Sequence, residues 1–121
     1  MPSIFEATAG KLIGPTNGGS VTQATNKGTA VTLNTESGVI TTNNAALADA
    51  AEVTFQVNND KVTATDIPQI AIASGGTAGA YLATVSAVAA GSFKISISNV
   101  SGGSLSEAIV INFGVSKGSS S

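Results

Sequence analysis

The chain has 121 residues, of which 10% are charged, and its net charge is −2. This length fits one domain with a core large enough to fold without covalent cross-links, and the absence of cysteine excludes disulfides and thiolate metal sites. A pI near 4.7, with five dispersed lysines and no arginine, argues against the phosphate-neutralising patch that nucleic-acid binding needs.

Residues 1–20 show no sustained helical or strand period, because prolines and glycines interrupt them, and they are predicted to form an N-terminal arm. Ile4, Phe5, Leu12 and Ile13 make this arm more apolar than a disordered tail. We expect it to pack either on its own domain or on a neighbouring subunit. No signal peptide and no membrane-spanning segment are expected, since the required apolar runs are missing.

Residues 21–117 are predicted to form a single β domain, and residues 118–121 a polar tail. Short β-prone runs alternate with turn signals every 8–12 residues or so, which favours an antiparallel β-sandwich or a jelly-roll-like barrel of about eight short strands. The helix-prone residues 44–52 are too few for a stable helix and predict one helical turn or a tight loop. The predicted strands are 21–25, 30–34, 38–42, 52–57, 67–73, 81–88, 93–98 and 109–115.

Residues 91–115 carry the clearest strand signals. Apolar and polar side chains alternate in 93–98 and again in 109–115, with a Ser-Gly-Gly-Ser turn signal at 101–104 between them. The two runs are therefore predicted to pair as an antiparallel hairpin that supplies much of the core. The polar side of this hairpin has one charge among five residues, and part of it is predicted to meet a sister subunit. Its members are Lys94, Ser96, Ser98, Val110 and Asn112.

Catalytic groups are scarce, because histidine and cysteine are both absent. Asp60 and Asp66 could form a carboxylate pair, but their turn-like surroundings favour structural roles. The oxygen-rich residues 58–60 lack the spacing of an EF-hand loop, although a calcium ion shared between subunits stays open. The glycine-rich residues 75–79 are not followed by the lysine of a phosphate loop. No enzyme activity, catalytic residue, cofactor or metal site is therefore predicted.

Sugar binding usually needs an exposed aromatic ring, and the chain has four phenylalanines and one tyrosine. Phe55, Phe93 and Phe113 lie on apolar strand faces and are predicted to be core residues. Tyr81 could be exposed, but a position at the edge of the core, with its hydroxyl at a polar boundary, is favoured.

The low charge content bears on assembly. Ordinary domains carry roughly 25% charged residues, and soluble monomers usually mix charges of both signs. A surface rich in Ser, Thr, Asn and Gly suits a chain whose faces are covered by neighbours, since interfaces are depleted in charge. A neutral monomer is the alternative.

Four blocks of sequence stand out, at residues 43–48, 74–82, 88–93 and 101–108. Together they resemble a family of short β-rich virion structural proteins of tailed phages and prophages. The resemblance extends over residues 38–118 and leaves out the arm. It implies a capsid decoration (cement) protein or an appendage domain, with no catalytic residue.

The favoured function is a capsid decoration protein, made in the host cytoplasm and placed on the outer surface of the phage head. Its partners would be the major capsid protein and further copies of itself, with a homotrimer as a simple closed arrangement. The alternative is a receptor-binding or tail-fibre head domain that recognises a host surface glycan through loop tips at 74–80 or 101–106. The predicted interface residues are Ile4, Phe5, Leu12, Ile13, Ser96 and Ser98.

Overall fold

The computed structural model describes residues 18–118, which form eight β-strands and no helix. The all-β prediction and the predicted number of strands are confirmed for this part of the chain. The first strand begins inside the segment predicted to be an arm. The strands are β1 (Gly19–Thr22), β2 (Val31–Thr32), β3 (Ser37–Thr41), β4 (Glu52–Asn58), β5 (Ile67–Ser74), β6 (Tyr81–Ala89), β7 (Ser92–Asn99) and β8 (Val110–Ser116).

The strands form two four-stranded sheets that pack as a sandwich. Sheet A has the order β1-β3-β8-β5, and sheet B has the order β2-β4-β7-β6. The edge strands β5 and β6 lie near each other but are not hydrogen-bonded neighbours. The sheets therefore do not close into a barrel, and the barrel alternative is wrong.

Both sheets are mixed, whereas a purely antiparallel sandwich was predicted. The pairs β3–β8, β5–β8, β4–β7 and β6–β7 are antiparallel, but β1–β3 and β2–β4 are parallel. The reason lies in the path of the chain, which visits the sheets in the order A, B, A, B from β1 to β4. A strand that returns to its own sheet through such a crossover can run in the same direction as its neighbour.

The hairpin predicted between residues 93–98 and 109–115 is wrong, because β7 belongs to sheet B and β8 to sheet A. Residues 100–109 cross from one sheet to the other. The hairpin that does form joins β6 to β7, where Ala89 pairs with Ser92 across a two-residue turn. Gly91 in that turn has a φ of 83°, a conformation that favours glycine.

The core lies between the two sheets. Phe93 of sheet B and Phe113 of sheet A meet in its centre with ring centroids 5.7 Å apart. The alternation in β7 and β8 therefore identified core residues correctly even though the strands do not pair. The buried apolar side chains are Val31, Ile40, Leu47, Phe55, Val57, Val62, Ala80, Tyr81, Phe93, Ile95, Ile97, Ile109, Ile111 and Phe113.

Of the predicted segment 44–52, residues 44–51 form a tight loop and Glu52 begins β4, which confirms the second of the two predicted alternatives. Leu47 forms an isolated antiparallel bridge with Leu105, and this bridge ties the loop to the crossover between β7 and β8. Ala50 has a φ of 63°, so the backbone turns there in a conformation that interrupts any helix.

Candidate interaction surface

The outer surface of sheet B is broad and nearly neutral. Side chains on β4, β7 and β6 that point away from the core are small or uncharged polar groups, with the exceptions of Glu52, Lys94 and Leu82. We name this surface the polar face of sheet B. Its members are Glu52, Thr54, Gln56 and Asn58 on β4, Ser92, Lys94, Ser96 and Ser98 on β7, and Leu82, Thr84, Ser86, Ala87 and Ala89 on β6.

Three hydroxyl groups form a chain across this face. The Thr54 and Ser96 hydroxyl oxygens are 2.7 Å apart, and the Ser96 hydroxyl donates to Ser86 Oγ over 2.9 Å. Ser96 is only 7% exposed because it lies between these neighbours. These three hydroxyls thus satisfy one another along the sheet, so a surface placed over them does not leave them without hydrogen-bond partners.

The two charged side chains of the face lie at different heights along the strands. Glu52 pairs with Ser98 across the sheet, whereas Lys94 pairs with Gln56, four residues further along β4. A rise of 3.2–3.4 Å per residue separates the two levels by about 13 Å. The single salt bridge within residues 18–118 joins Lys117 and Asp66, so neither face charge has an opposite charge beside it there.

The structure brings together some of the predicted interface residues. Ser96 and Ser98 lie on the polar face with Lys94, as predicted. Val110 and Asn112 do not, because β8 belongs to sheet A, so the predicted five-residue face is divided between two sheets. The arm residues of the predicted interface lie outside the described residues. They are Ile4, Phe5, Leu12 and Ile13.

A second feature is a cleft at the loop tip between β5 and β6. It has a volume of about 270 Å³ and is lined by residues 72–79 together with Tyr81. Glu107 organises this tip, since its carboxylate accepts hydrogen bonds from the Thr77 backbone N–H at 2.7 Å and from the Tyr81 hydroxyl at 2.8 Å. The glycine-rich loop thus already holds an anionic group, the side chain of the chain's own Glu107.

Burial and hydrogen bonding at the cleft shift the pKa values of Tyr81 and Glu107 in opposite directions. The hydrogen bond from Tyr81 lowers the pKa of Glu107. Burial, together with the carboxylate of Glu107, raises the pKa of Tyr81 to about 12. Tyr81 is buried, which agrees with the position at the core edge predicted from the sequence. The tip therefore presents mainly small side chains and backbone groups.

Lys27 was not singled out in the sequence, yet its side chain is buried with 3% exposure. The ammonium donates to the backbone oxygens of Asn43 at 2.6 Å, Ala45 at 2.7 Å and Glu107 at 2.8 Å. All three of its N–H donors are used. Burial lowers the pKa of Lys27, and the charge of Glu107 opposes that shift. A lysine in an ordinary Asn-Lys-Gly turn gives no sequence signal for such a position.

The remaining candidate residues have structural roles. The Asp66 carboxylate binds Lys117 and accepts backbone hydrogen bonds from Thr63 and Gly118, so it does not pair with Asp60. The hydrogen bond from Lys117 lowers the pKa of Asp66 far below its usual range. In the oxygen-rich turn, the buried Asn59 amide donates to the Thr35 carbonyl.

Within residues 18–118 there is no group of three acidic, histidine or cysteine side chains that could hold a metal ion. The same part of the chain has no helix with the length and apolarity needed to span a membrane. Comparison with family models, curated proteins and solved structures finds no match.

Proposed function

We propose that this chain is a structural virion protein of a tailed phage, a capsid decoration protein that binds the outer surface of the head as a homo-oligomer. The observation that carries the proposal is the polar face of sheet B, a three-stranded surface with one positive and one negative side chain. Covering such a face with another protein removes few charges from water, which keeps the desolvation cost low. The resemblance of residues 38–118 to short virion proteins supports a structural role in a virion, either as a decoration protein or as an appendage domain.

The mechanism of this proposal is association, with no catalytic step. The arm residues Ile4, Phe5, Leu12 and Ile13 would bury against the major capsid protein or a sister subunit. Full burial of such a side chain stabilises a contact by roughly 1.5–3 kcal/mol. Repeated over many copies, contacts of this size would hold neighbouring capsomers together against the pressure of packaged DNA. Nucleic acid, membranes and cofactors have no part in the proposal.

The proposal is tested by adding purified protein back to empty phage shells that lack it. Wild-type protein is expected to bind and to raise the temperature at which the shells break open. Deletion of residues 1–14 should abolish binding while the circular dichroism spectrum stays that of a β protein. Glu6→Gln is the matched control within the same segment.

Two outcomes would count against the proposal. Unchanged binding by the protein that lacks residues 1–14 would remove the role of the arm. A wild-type protein that stays monomeric at micromolar concentration and does not add back to shells would contradict decoration itself.

The cleft at the tip of residues 72–79 favours one alternative, a receptor-binding or tail-fibre head domain that recognises a host surface glycan. Its volume of about 270 Å³ suits a small part of a sugar chain, which would contact small side chains and backbone groups because Tyr81 is buried. This alternative predicts that the isolated protein binds host cells or a glycan array, and that Thr77→Arg abolishes binding. Thr65→Arg, on the exposed turn that precedes β5 and far along that strand from the cleft, is the control.

A further inference from the structure

The arrangement of side chains on the polar face of sheet B is self-complementary. Thr54, Ser96 and Thr84 are aligned across β4, β7 and β6 by the strand register, and they form a central row. The row two residues to one side contains Glu52, Ser98 and Leu82. The row on the other side contains Gln56, Lys94 and Ala87.

We propose that this face is the contact between two copies of the chain, related by a two-fold axis that runs along the central row. The inference rests on the self-association in the proposed function, and it names the surface and the symmetry. A two-fold axis in this position places the central row of one copy against the same row of the other. It also exchanges the two flanking rows.

The exchange of flanking rows pairs chemically matched groups. Glu52 of each copy lies opposite the row of the other copy that contains Gln56 and Lys94. Both face charges therefore gain an opposite charge that they lack within residues 18–118. Leu82, which is 61% exposed, lies opposite Ala87 of the other copy, an exposed small apolar side chain. The central row holds only Ser and Thr, so no bulky side chain keeps the two sheets apart.

The size of the face determines how strong this contact can be. Three strands about 4.8 Å apart and seven residues long cover roughly 300–400 Å² on each copy. A standard stable interface buries about 800 Å² on each partner. The two-fold pair is therefore expected to be weak in dilute solution and to form when many copies are concentrated on one surface.

A charge-swap experiment tests the contact on the full-length protein. We expect Glu52→Lys and Lys94→Glu each to weaken self-association roughly tenfold, because each places two pairs of like charges across the two-fold axis. The double variant with both changes restores the opposite pairs and should associate like wild type. Lys61→Glu, on an exposed turn outside the face, should have no effect. Sedimentation equilibrium over a wide concentration range at low salt measures the change.

Cysteine cross-linking provides an independent measurement, because the natural chain has no cysteine. Thr54→Cys and Thr84→Cys lie on the central row, so a short bismaleimide should join each to its own counterpart. Asn112→Cys, exposed on the outer surface of sheet A, should stay unlinked under the same conditions.

The inference is overturned if the double charge variant does not recover self-association, or if Asn112→Cys links as readily as Thr54→Cys. It is also overturned if the protein is a trimer in solution and neither charge variant changes its mass. Shell binding separates this result from the proposed function. If the protein adds back to shells but fails the charge-swap test, the two-fold contact is rejected and the decoration proposal stands. If the protein passes the charge-swap test but does not bind shells, the two-fold contact stands and the decoration proposal is rejected.

Discussion

Lys27 shows how a single buried charge can organise several loops. Its ammonium joins the turn that contains it to the backbone at Asn43 and Ala45 and, from the far side of the chain, at Glu107. Gln23 reinforces the same region, since its side chain donates to the backbone oxygens of Lys27 and Thr29. These groups hold one end of the sandwich through polar contacts rather than through apolar packing.

Replacing Lys27 with Met should lower the free energy of unfolding by about 2–4 kcal/mol, because three partly buried carbonyl groups lose a charged donor. Urea denaturation followed by circular dichroism measures the change. Lys61→Met removes an exposed lysine and should alter stability by less than about 0.5 kcal/mol. Equal effects from the two variants would show that the buried ammonium adds no more to the free energy of unfolding than an exposed lysine does.

Two carboxylates make the stability of the fold sensitive to acid. The pKa values of Asp66 and Glu107 are both lowered in the folded state, so the folded chain binds protons there less readily than the unfolded chain. Their stabilisation is present above the ordinary carboxyl pKa, near 4, and is lost as the pH falls through the lowered folded values.

We therefore expect the free energy of unfolding to fall between neutral pH and pH 3, and Asp66→Asn or Glu107→Gln to make that fall shallower. Asp60→Asn, which removes an exposed carboxylate with no hydrogen bond in the described residues, is the matched control. A wild-type protein equally stable at both pH values would contradict this prediction.

At the scale of elements, the crossover between β7 and β8 depends on Asn99. Its side-chain amide donates to the backbone oxygens of Leu47 and Gly103, both at 2.8 Å, and its oxygen accepts from the Ser101 N–H at 2.9 Å. The side chain is fully buried. Asn99 thus stabilises the point where the chain leaves sheet B and binds it to the loop formed by residues 44–51.

Asn99→Leu should destabilise the fold by about 2–4 kcal/mol, because two carbonyl groups and one N–H lose their partner in a buried site. Thermal unfolding monitored by circular dichroism tests this. Ser101→Ala, in the exposed part of the same crossover, should cost less than half as much. A small effect at Asn99 would mean that the Leu47–Leu105 bridge alone holds the crossover.

Asn99 also explains where prediction from the sequence fails. Alternation located β4, β7 and β8 because each buries one face, a signal that a single sequence carries. The other strands are predicted from short β-prone runs between turn signals. The Ser-Gly-Gly-Ser segment predicts a hairpin turn, and the prediction is wrong because turn residues do not reveal which sheet the next strand joins. That choice depends on long-range bonds, such as those from Asn99 to Leu47, between residues 52 positions apart.

The candidate surface was predictable to a similar degree. The alternation in β7 placed Ser96 and Ser98 opposite the core, which the structure confirms. The extension of that surface onto β4 and β6 required the strand order, because neighbours in a sheet need not be neighbours in sequence. The Tyr81–Glu107 pair escaped prediction for the same reason, since its two members are 26 residues apart.

At the scale of the whole molecule, the effect of the polar face of sheet B on assembly can be measured separately from its effect on stability. Ser98 is half-buried and its hydroxyl makes one long contact, 3.4 Å, with Glu52. Ser98→Arg should therefore weaken assembly while the melting temperature of the isolated domain changes little. Ser96→Arg should weaken assembly and also lower the melting temperature, because it breaks the hydroxyl chain to Thr54 and Ser86.

The Ser98 and Ser96 variants are compared by light scattering for assembly and by calorimetry for melting. Asn112→Arg, on the outer surface of sheet A, is the control for added bulk and charge. Unchanged assembly in both serine variants would return the polar face of sheet B to solvent.

The position of β8 in sheet A has a consequence for how the chain folds during synthesis. β8 lies between β3 and β5 and pairs with both, yet it is the last strand in the chain order of residues 18–118. Until β8 leaves the ribosome, β3 and β5 lack the strand that pairs with both of them, so sheet A cannot form. Sheet B can assemble first, but its core side stays uncovered. Nascent chains that end before Val110 should therefore stay sensitive to protease, and protection should appear only after Ser116 has emerged.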